Sequence, residues 1–160
     1  MSNGTVSFRS VNFGTRFIRH QDFLAELQEI ANADDLARRD ASFVFHPGLA
    51  SEFADGIGSY EAVNFPNFFL RHQDFRLKLQ ERPSDGDPAQ SLFDLDATFF
   101  IADGQDQGFS PVFGGEIHSL RSVNFDTMLL RHRDFHLFLT EINTDLDKSD
   151  ATFEIQNGFV

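Results

Sequence analysis

One unit is written three times in this chain. The run Val11 through Phe23 aligns without gaps on Val63 through Phe75 and on Val123 through Phe135, and the copies share Val-Asn-Phe followed by Arg-His-x-Asp-Phe. A second block follows each run: Asp40-Ala41-Ser42-Phe43, Asp96-Ala97-Thr98-Phe99 and Asp150-Ala151-Thr152-Phe153. A repeat of about fifty residues that cannot bury its own apolar face must pack on its neighbours, so the repetition dictates the architecture before any motif is weighed. The units run over about 4–52, 53–112 and 113–160, and a single domain spanning 1–160 is expected.

Within a unit the polarity alternates at period two, as in Val6-Ser7-Phe8-Arg9-Ser10-Val11, Phe43-Val44-Phe45 and Leu77-Lys78-Leu79. β-branched and aromatic residues fill these runs, which therefore read as short strands. Each unit offers about four: one ending at Val-Asn-Phe, one running into Arg-His, one at the leucine-rich stretch and one after Asp-Ala-Thr-Phe. Three units of four strands, twelve in all, predict an all-β fold, a β-trefoil with pseudo-threefold symmetry, since a propeller needs at least about four blades. The segments Ala31–Arg39, Glu81–Gln90 and Asn143–Ser149 are polar and read as surface loops. Leu24, Leu27 and Ile30 have near-helical spacing, but the counterpart Glu81–Pro88 carries two prolines, so a turn is expected in all three copies.

Composition narrows the function. The formal net charge of −12 repels phosphate backbones and anionic headgroups, which disfavours nucleic acid and membrane surfaces as partners. The absence of cysteine excludes disulfides, thiolate metal sites and cysteine nucleophiles, while 21 phenylalanines supply ample core. No basic stretch precedes an apolar run at the N-terminus, and no segment approaches the ~20 apolar residues of a membrane span. A soluble, untargeted chain is expected as written; the lone sequon Asn3-Gly4-Thr5 is too common a pattern to decide the compartment.

The ordered recurrence of Val-Asn-Phe, Arg-His-x-Asp-Phe and Asp-Ala-Thr-Phe, from about Val6 to Phe159, resembles the arabinose-binding domain of fungal α-L-arabinofuranosidase B, the family 42 carbohydrate-binding module. The resemblance implies a β-trefoil whose pockets accept arabinofuranose side chains of hemicelluloses such as arabinoxylan. It also implies that the histidine of Arg-His and the aspartate of Asp-Ala-Thr-Phe contact the sugar. The candidate ligand-binding pairs are then His20 with Asp40, His72 with Asp96, and His132 with Asp150. Gln21, Gln73 and Arg133 stand where the family often has tyrosine, so stacking falls to phenylalanine or is absent.

The residue chemistry suits such a ligand. A sugar hydroxyl both donates and accepts; a carboxylate accepts and a neutral imidazole does one of each. The competing reading is that these side chains cap turns and satisfy backbone groups in a repeating fold. Alanine at His72 and Asp96 is accordingly expected to weaken sugar binding with little change in thermal stability. Asp22, Asp74 and Asp134 are expected to hold backbone N–H groups at turns. Arg19, Arg71 and Arg131 are expected to pair with carboxylates or pack their stems, and the repeated phenylalanines to form core.

No catalytic residue, metal or cofactor is expected. Glycoside hydrolysis needs an asymmetric pair of carboxylates, whereas here each carboxylate recurs in every unit. His132-Arg133-Asp134-Phe135-His136 has the spacing of helical metal ligands, which loses its meaning on a strand and turn. A monomer that binds arabinose-containing polysaccharide or another glycan leads; a protein-interaction trefoil reading a partner through its variable loops is the alternative, and an undetected hydrolase comes third.

Overall fold

The computed structural model describes residues 4–31, 34–53 and 55–160; the sequon at Asn3 lies outside them. The first unit contains β1 (Thr5–Ser10), β2 (Arg16–Gln21), β3 (Leu24–Glu29), α1 (Asp35–Asp40) and β4 (Phe43–His46). The second contains β5 (Ile57–Ala62), β6 (Phe68–Gln73), β7 (Arg76–Glu81), α2 (Gln90–Asp96) and β8 (Phe99–Asp103). The third repeats the order with β9 (Glu116–Ser122), β10 (Leu129–Arg133), β11 (His136–Thr140), α3 (Asp145–Asp150) and β12 (Phe153–Asn157).

The twelve strands pair antiparallel in one sheet. Six of them close a ring in the order β1, β4, β5, β8, β9, β12 and back to β1. The hairpins β2–β3, β6–β7 and β10–β11 rise from the ring and join one another through β3–β7, β7–β11 and β11–β3. Closure leaves the ring without a free edge for another chain to extend.

The pairing follows from the period-two pattern. Inward positions of the ring carry Phe8, Phe43, Tyr60, Phe99, Leu120 and Phe153, and the hairpins add Ala25, Leu27, Leu77, Leu79, Leu137 and Leu139 to the same buried cluster. The last phenylalanine of each Asp-Ala-Ser/Thr-Phe block is thus core, as expected.

Each hairpin turns through two residues, Asp22-Phe23, Asp74-Phe75 and Asp134-Phe135, all at positive φ between 51° and 62°. Left-handed backbone at both centres is what a tight two-residue hairpin needs. Aspartate tolerates it, but phenylalanine does so only when its surroundings over-determine the conformation. Those surroundings are visible: the carbonyls of Phe23, Phe75 and Phe135 accept the N–H of Leu79, Leu139 and Leu27, each on a different hairpin, at 2.8–2.9 Å. The expected role of Asp22, Asp74 and Asp134 is corrected: their side chains are exposed and hold no backbone N–H among the described residues, so they serve the turn through backbone tolerance.

The loop assignment also needs correction, because every connection before the fourth strand carries a short helix. Local capping explains two of them. Asp34 accepts from the Ala37 N–H at 3.0 Å, and Thr144 forms a reciprocal capping box with Asp147. In the second unit Pro83 and Pro88 precede α2, so they shape the approach without entering the helix. Phe99→Ala, which empties a fully buried ring position, is expected to lower stability by about 3–5 kcal/mol, read as a fall in the urea midpoint at unchanged slope.

Candidate functional site

The final residue of each short helix is the aspartate of the Asp-Ala-Ser/Thr-Phe block, and the helix lies beside the strand that carries Arg-His. This brings each predicted pair together, but not by direct contact: His Nε2 and Asp Oδ1 are 3.6, 3.6 and 3.5 Å apart at His20/Asp40, His72/Asp96 and His132/Asp150. An asparagine bridges them. His20 Nε2 lies 3.0 Å from Asn64 Oδ1, and Asn64 Nδ2 donates to Asp40 Oδ1 at 2.8 Å. Asn124 does the same between His72 and Asp96, at 3.0 and 2.8 Å, and Asn12 between His132 and Asp150, at 2.8 Å on both sides. The bridging residue is the asparagine of Val-Asn-Phe, and it always comes from the following unit. Sequence reasoning missed it although the signal was present, one invariant amide in each copy.

The remaining carboxylate oxygen accepts from arginine Nη2, in the pairs Arg19–Asp40, Arg71–Asp96 and Arg131–Asp150. The arginines therefore pair with carboxylates, as expected. Both partners are buried in every copy. Arg71 and Arg131 also donate from Nε to the carbonyls of His72 and His132 at 3.2 Å, whereas Arg19 Nε has no partner among the described residues. Ser122 Oγ donates to Asn124 Oδ1 and accepts the Phe125 N–H; Ser10 does the same for Asn12 and Phe13. The first pocket has Ala62 at this position and lacks that support.

Each cluster floors a cavity, of about 330 Å³ at His20, 350 Å³ at His72 and 360 Å³ at His132. The walls correct the expectation that the repeated phenylalanines are core for two of the three sets, those of Val-Asn-Phe and of Arg-His-x-Asp-Phe. Phe65, Phe125 and Phe13 stand edge-on to the histidine rings at 5.5, 5.5 and 5.4 Å, and Phe23, Phe75 and Phe135 pack on them in turn. Leu36, Leu92 and Leu146, one turn before the helical aspartate, complete the wall while 58–66% exposed. The rims differ: Gln21 accepts from Gln28, Gln73 from Lys78, and Arg133 packs over the Phe138 ring.

Burial is the largest influence on all three imidazoles and lowers their pKa below the ordinary value, outweighing the raising effect of the nearby aspartate. At neutral pH the rings are uncharged. Every near neighbour of Nε2 offers an acceptor oxygen, so the proton belongs on Nε2 and Nδ1 is left to accept. The arrangement can bind a polar, uncharged ligand against apolar walls. His132 through His136 spans a strand end, a turn and a strand start, and His136 instead meets Arg76 and Glu26. Among the described residues no cluster of three or more His, Cys, Asp and Glu is placed to hold a metal ion, and no helix is long and apolar enough to cross a membrane.

The model of the alpha-L-arabinofuranosidase B (ABFB) domain matches residues 6–155. The chain is 32% identical to alpha-L-arabinofuranosidase B of Emericella nidulans, over 97% of this chain and 30% of that protein. It is 29% identical to a probable alpha-L-arabinofuranosidase B of Aspergillus clavatus, over 74% of this chain and 20% of that one, so it spans under a third of either relative. Among solved structures it is similar to a GH54 α-L-arabinofuranosidase soaked with a cyclic sulfate inhibitor, at TM-score 0.80 and 27% identity over all of this chain and 32% of that one. It is also similar in fold to a β-trefoil named BEL, at TM-score 0.63 and 13% identity over 96% of this chain and 92% of that one.

Two expectations follow from the cluster. Since Asp96 is the buried partner of Arg71, Asp96→Ala should destabilise the protein by about 3–5 kcal/mol, contrary to the near-neutral effect expected from sequence, while Asp96→Asn should cost less; urea unfolding distinguishes them. A base whose pKa is lower in the folded than in the unfolded state stabilises fully above the unfolded value, near 6.5, and less as pH falls from there toward the folded value. The urea midpoint should therefore drop between about pH 7 and 5.5, and a His72→Gln variant should show a shallower drop.

Proposed function

Because the chain belongs to the alpha-L-arabinofuranosidase B (ABFB) domain family, we propose that it is a monomeric, non-catalytic carbohydrate-binding module of β-trefoil fold that takes arabinofuranose-type side chains into three pockets. The observation that carries this reading is the threefold recurrence of one built cavity: a neutral histidine, a bridged aspartate and an asparagine beneath exposed phenylalanine and leucine. The trefoil assignment rests on a six-stranded ring capped by three joined hairpins, together with the likeness to BEL.

A cavity near 350 Å³ is at the low end for ligand sites and suits one sugar ring better than a run of them. Imidazole Nδ1 accepts from a hydroxyl, the carboxylate oxygens keep lone pairs for others, and the apolar walls meet the carbon face of the furanose. The pocket carboxylates are each committed to an arginine and an asparagine in three near-equal copies, whereas hydrolysis needs one acid and one base with divergent properties.

A single sugar held this way should bind at about millimolar strength, and a polymer engaging several pockets can gain about 10²–10⁴. The walls are the better test than the aspartates, since they can be trimmed without stranding a buried arginine. Phe13→Ala, Phe65→Ala and Phe125→Ala are expected to reduce retardation in arabinoxylan-containing gels stepwise, with the triple variant unretarded. A parent protein that is not retarded by arabinoxylan or arabinan would reject the glycan reading in favour of a protein partner. Loss of all retention in one single variant would mean that one pocket works alone, and release of reducing sugar would revive a hydrolase.

A further inference from the structure

The end of the ring away from the three hairpins opens into a cavity of about 390 Å³, lined by residues of every ring strand: Val6, Phe45, Tyr60, Ile101, His118 and Ile155. Threefold repetition makes its peculiarity plain. Val6-Ser7-Phe8, Gly58-Ser59-Tyr60 and His118-Ser119-Leu120 occupy matching positions on β1, β5 and β9. Tyr60, the only tyrosine of the chain, stands where the other units have Phe8 and Leu120, and Gly58 stands where they have Val6 and His118.

The two departures act together. A Cβ added at Gly58 would lie 2.8 Å from Tyr60 Oη and 2.8 Å from the Phe45 ring, so the glycine makes the room into which the hydroxyl projects. Phe45 is the cross-strand partner of Tyr60 and forms part of the cavity wall. Tyr60 is 1% exposed, and its Oη has no hydrogen-bond partner among the described residues. A buried hydroxyl without a partner costs stability, and phenylalanine, used at the matching position of the first unit, would avoid that cost.

We infer that the open end of the ring is a second ligand site, separate from the three pockets, for a small neutral molecule of mainly apolar body that presents a hydrogen-bond acceptor to Tyr60. Burial raises the phenol's pKa, so the group is a donor at any ordinary pH. Anions are disfavoured by Glu116, whose carboxylate stands exposed at the rim. His118 offers little competition for the acceptor, because its Nδ1 donates to the Ala102 carbonyl at 3.1 Å and its Nε2 lies 3.2 Å from Glu116.

Acetophenone, an apolar ring with one carbonyl, is a suitable probe, and ¹H–¹⁵N NMR titration of the whole chain reads the site directly. Saturable shifts are expected at Val6, Gly58, Ile101 and His118, with no competition from L-arabinose. Tyr60→Phe should weaken the probe about 2- to 10-fold, the factor one neutral hydrogen bond supplies, and leave ethylbenzene, which lacks the acceptor, unaffected. The ligand-free Tyr60→Phe protein should melt no lower than the parent. Nuclear Overhauser contacts from acetophenone to the Val6 and Ile101 methyl groups give the same answer without any variant. Absence of saturable shifts at these residues, or a Tyr60→Phe protein that binds the probe equally well, would overturn the inference, and a lower melting temperature of that variant would do so by identifying the hydroxyl as one satisfied by internal water.

Discussion

Asn64 belongs to the second unit, yet its amide holds His20 and Asp40 of the first; Asn124 and Asn12 stand in the same relation to the units before them. The hairpin turns obey the same rule, since the strained phenylalanine of each passes its carbonyl to the next hairpin. No third of the chain completes its own hydrogen bonding. The ring, the joined hairpins and the pockets are three results of this one constraint, and they stand or fall together.

Burying an arginine and an aspartate in each pocket ties the proposed binding chemistry to stability. Either charge alone would be costly, and each pair is made tolerable by its amide and carbonyl partners. Neutral histidine belongs to the same economy: burial that favours an uncharged imidazole also leaves it a free acceptor nitrogen. The serine that supports the asparagine in two pockets is alanine in the first, so floors that look alike in outline do not share all their hydrogen bonds.

Much of this was legible in the sequence because repetition multiplies weak signals. Period-two runs located the strands, and the matched histidines and aspartates pointed to the places where the pockets lie. The misses have physical causes. The helices look like loops in the sequence because each is marked by no more than a single cap, Asp34 or Thr144, and in the second unit Pro83 and Pro88 mask a helix that starts just after them. Phe13 and Phe75 look like core residues in any hydropathy pattern; only the left-handed turn and the closing of one unit on the next turn them outward. Tyr60 and Gly58 were invisible for a different reason, since a departure from threefold pattern gains meaning only once the ring shows what it faces.

The asparagine bridge has a consequence for how such a chain diverges. The copied segment and the pocket are out of phase: a pocket begins at the Arg-His strand of one copy and ends inside the first strand-turn of the next, and for the third it reaches from Asp150 back to Asn12. A change at Asn64 would be scored against the second copy but felt by the first. Comparing the copies as if each owned its cluster would assign tolerance and loss to the wrong ones, because every cluster is built at the seam between two copies.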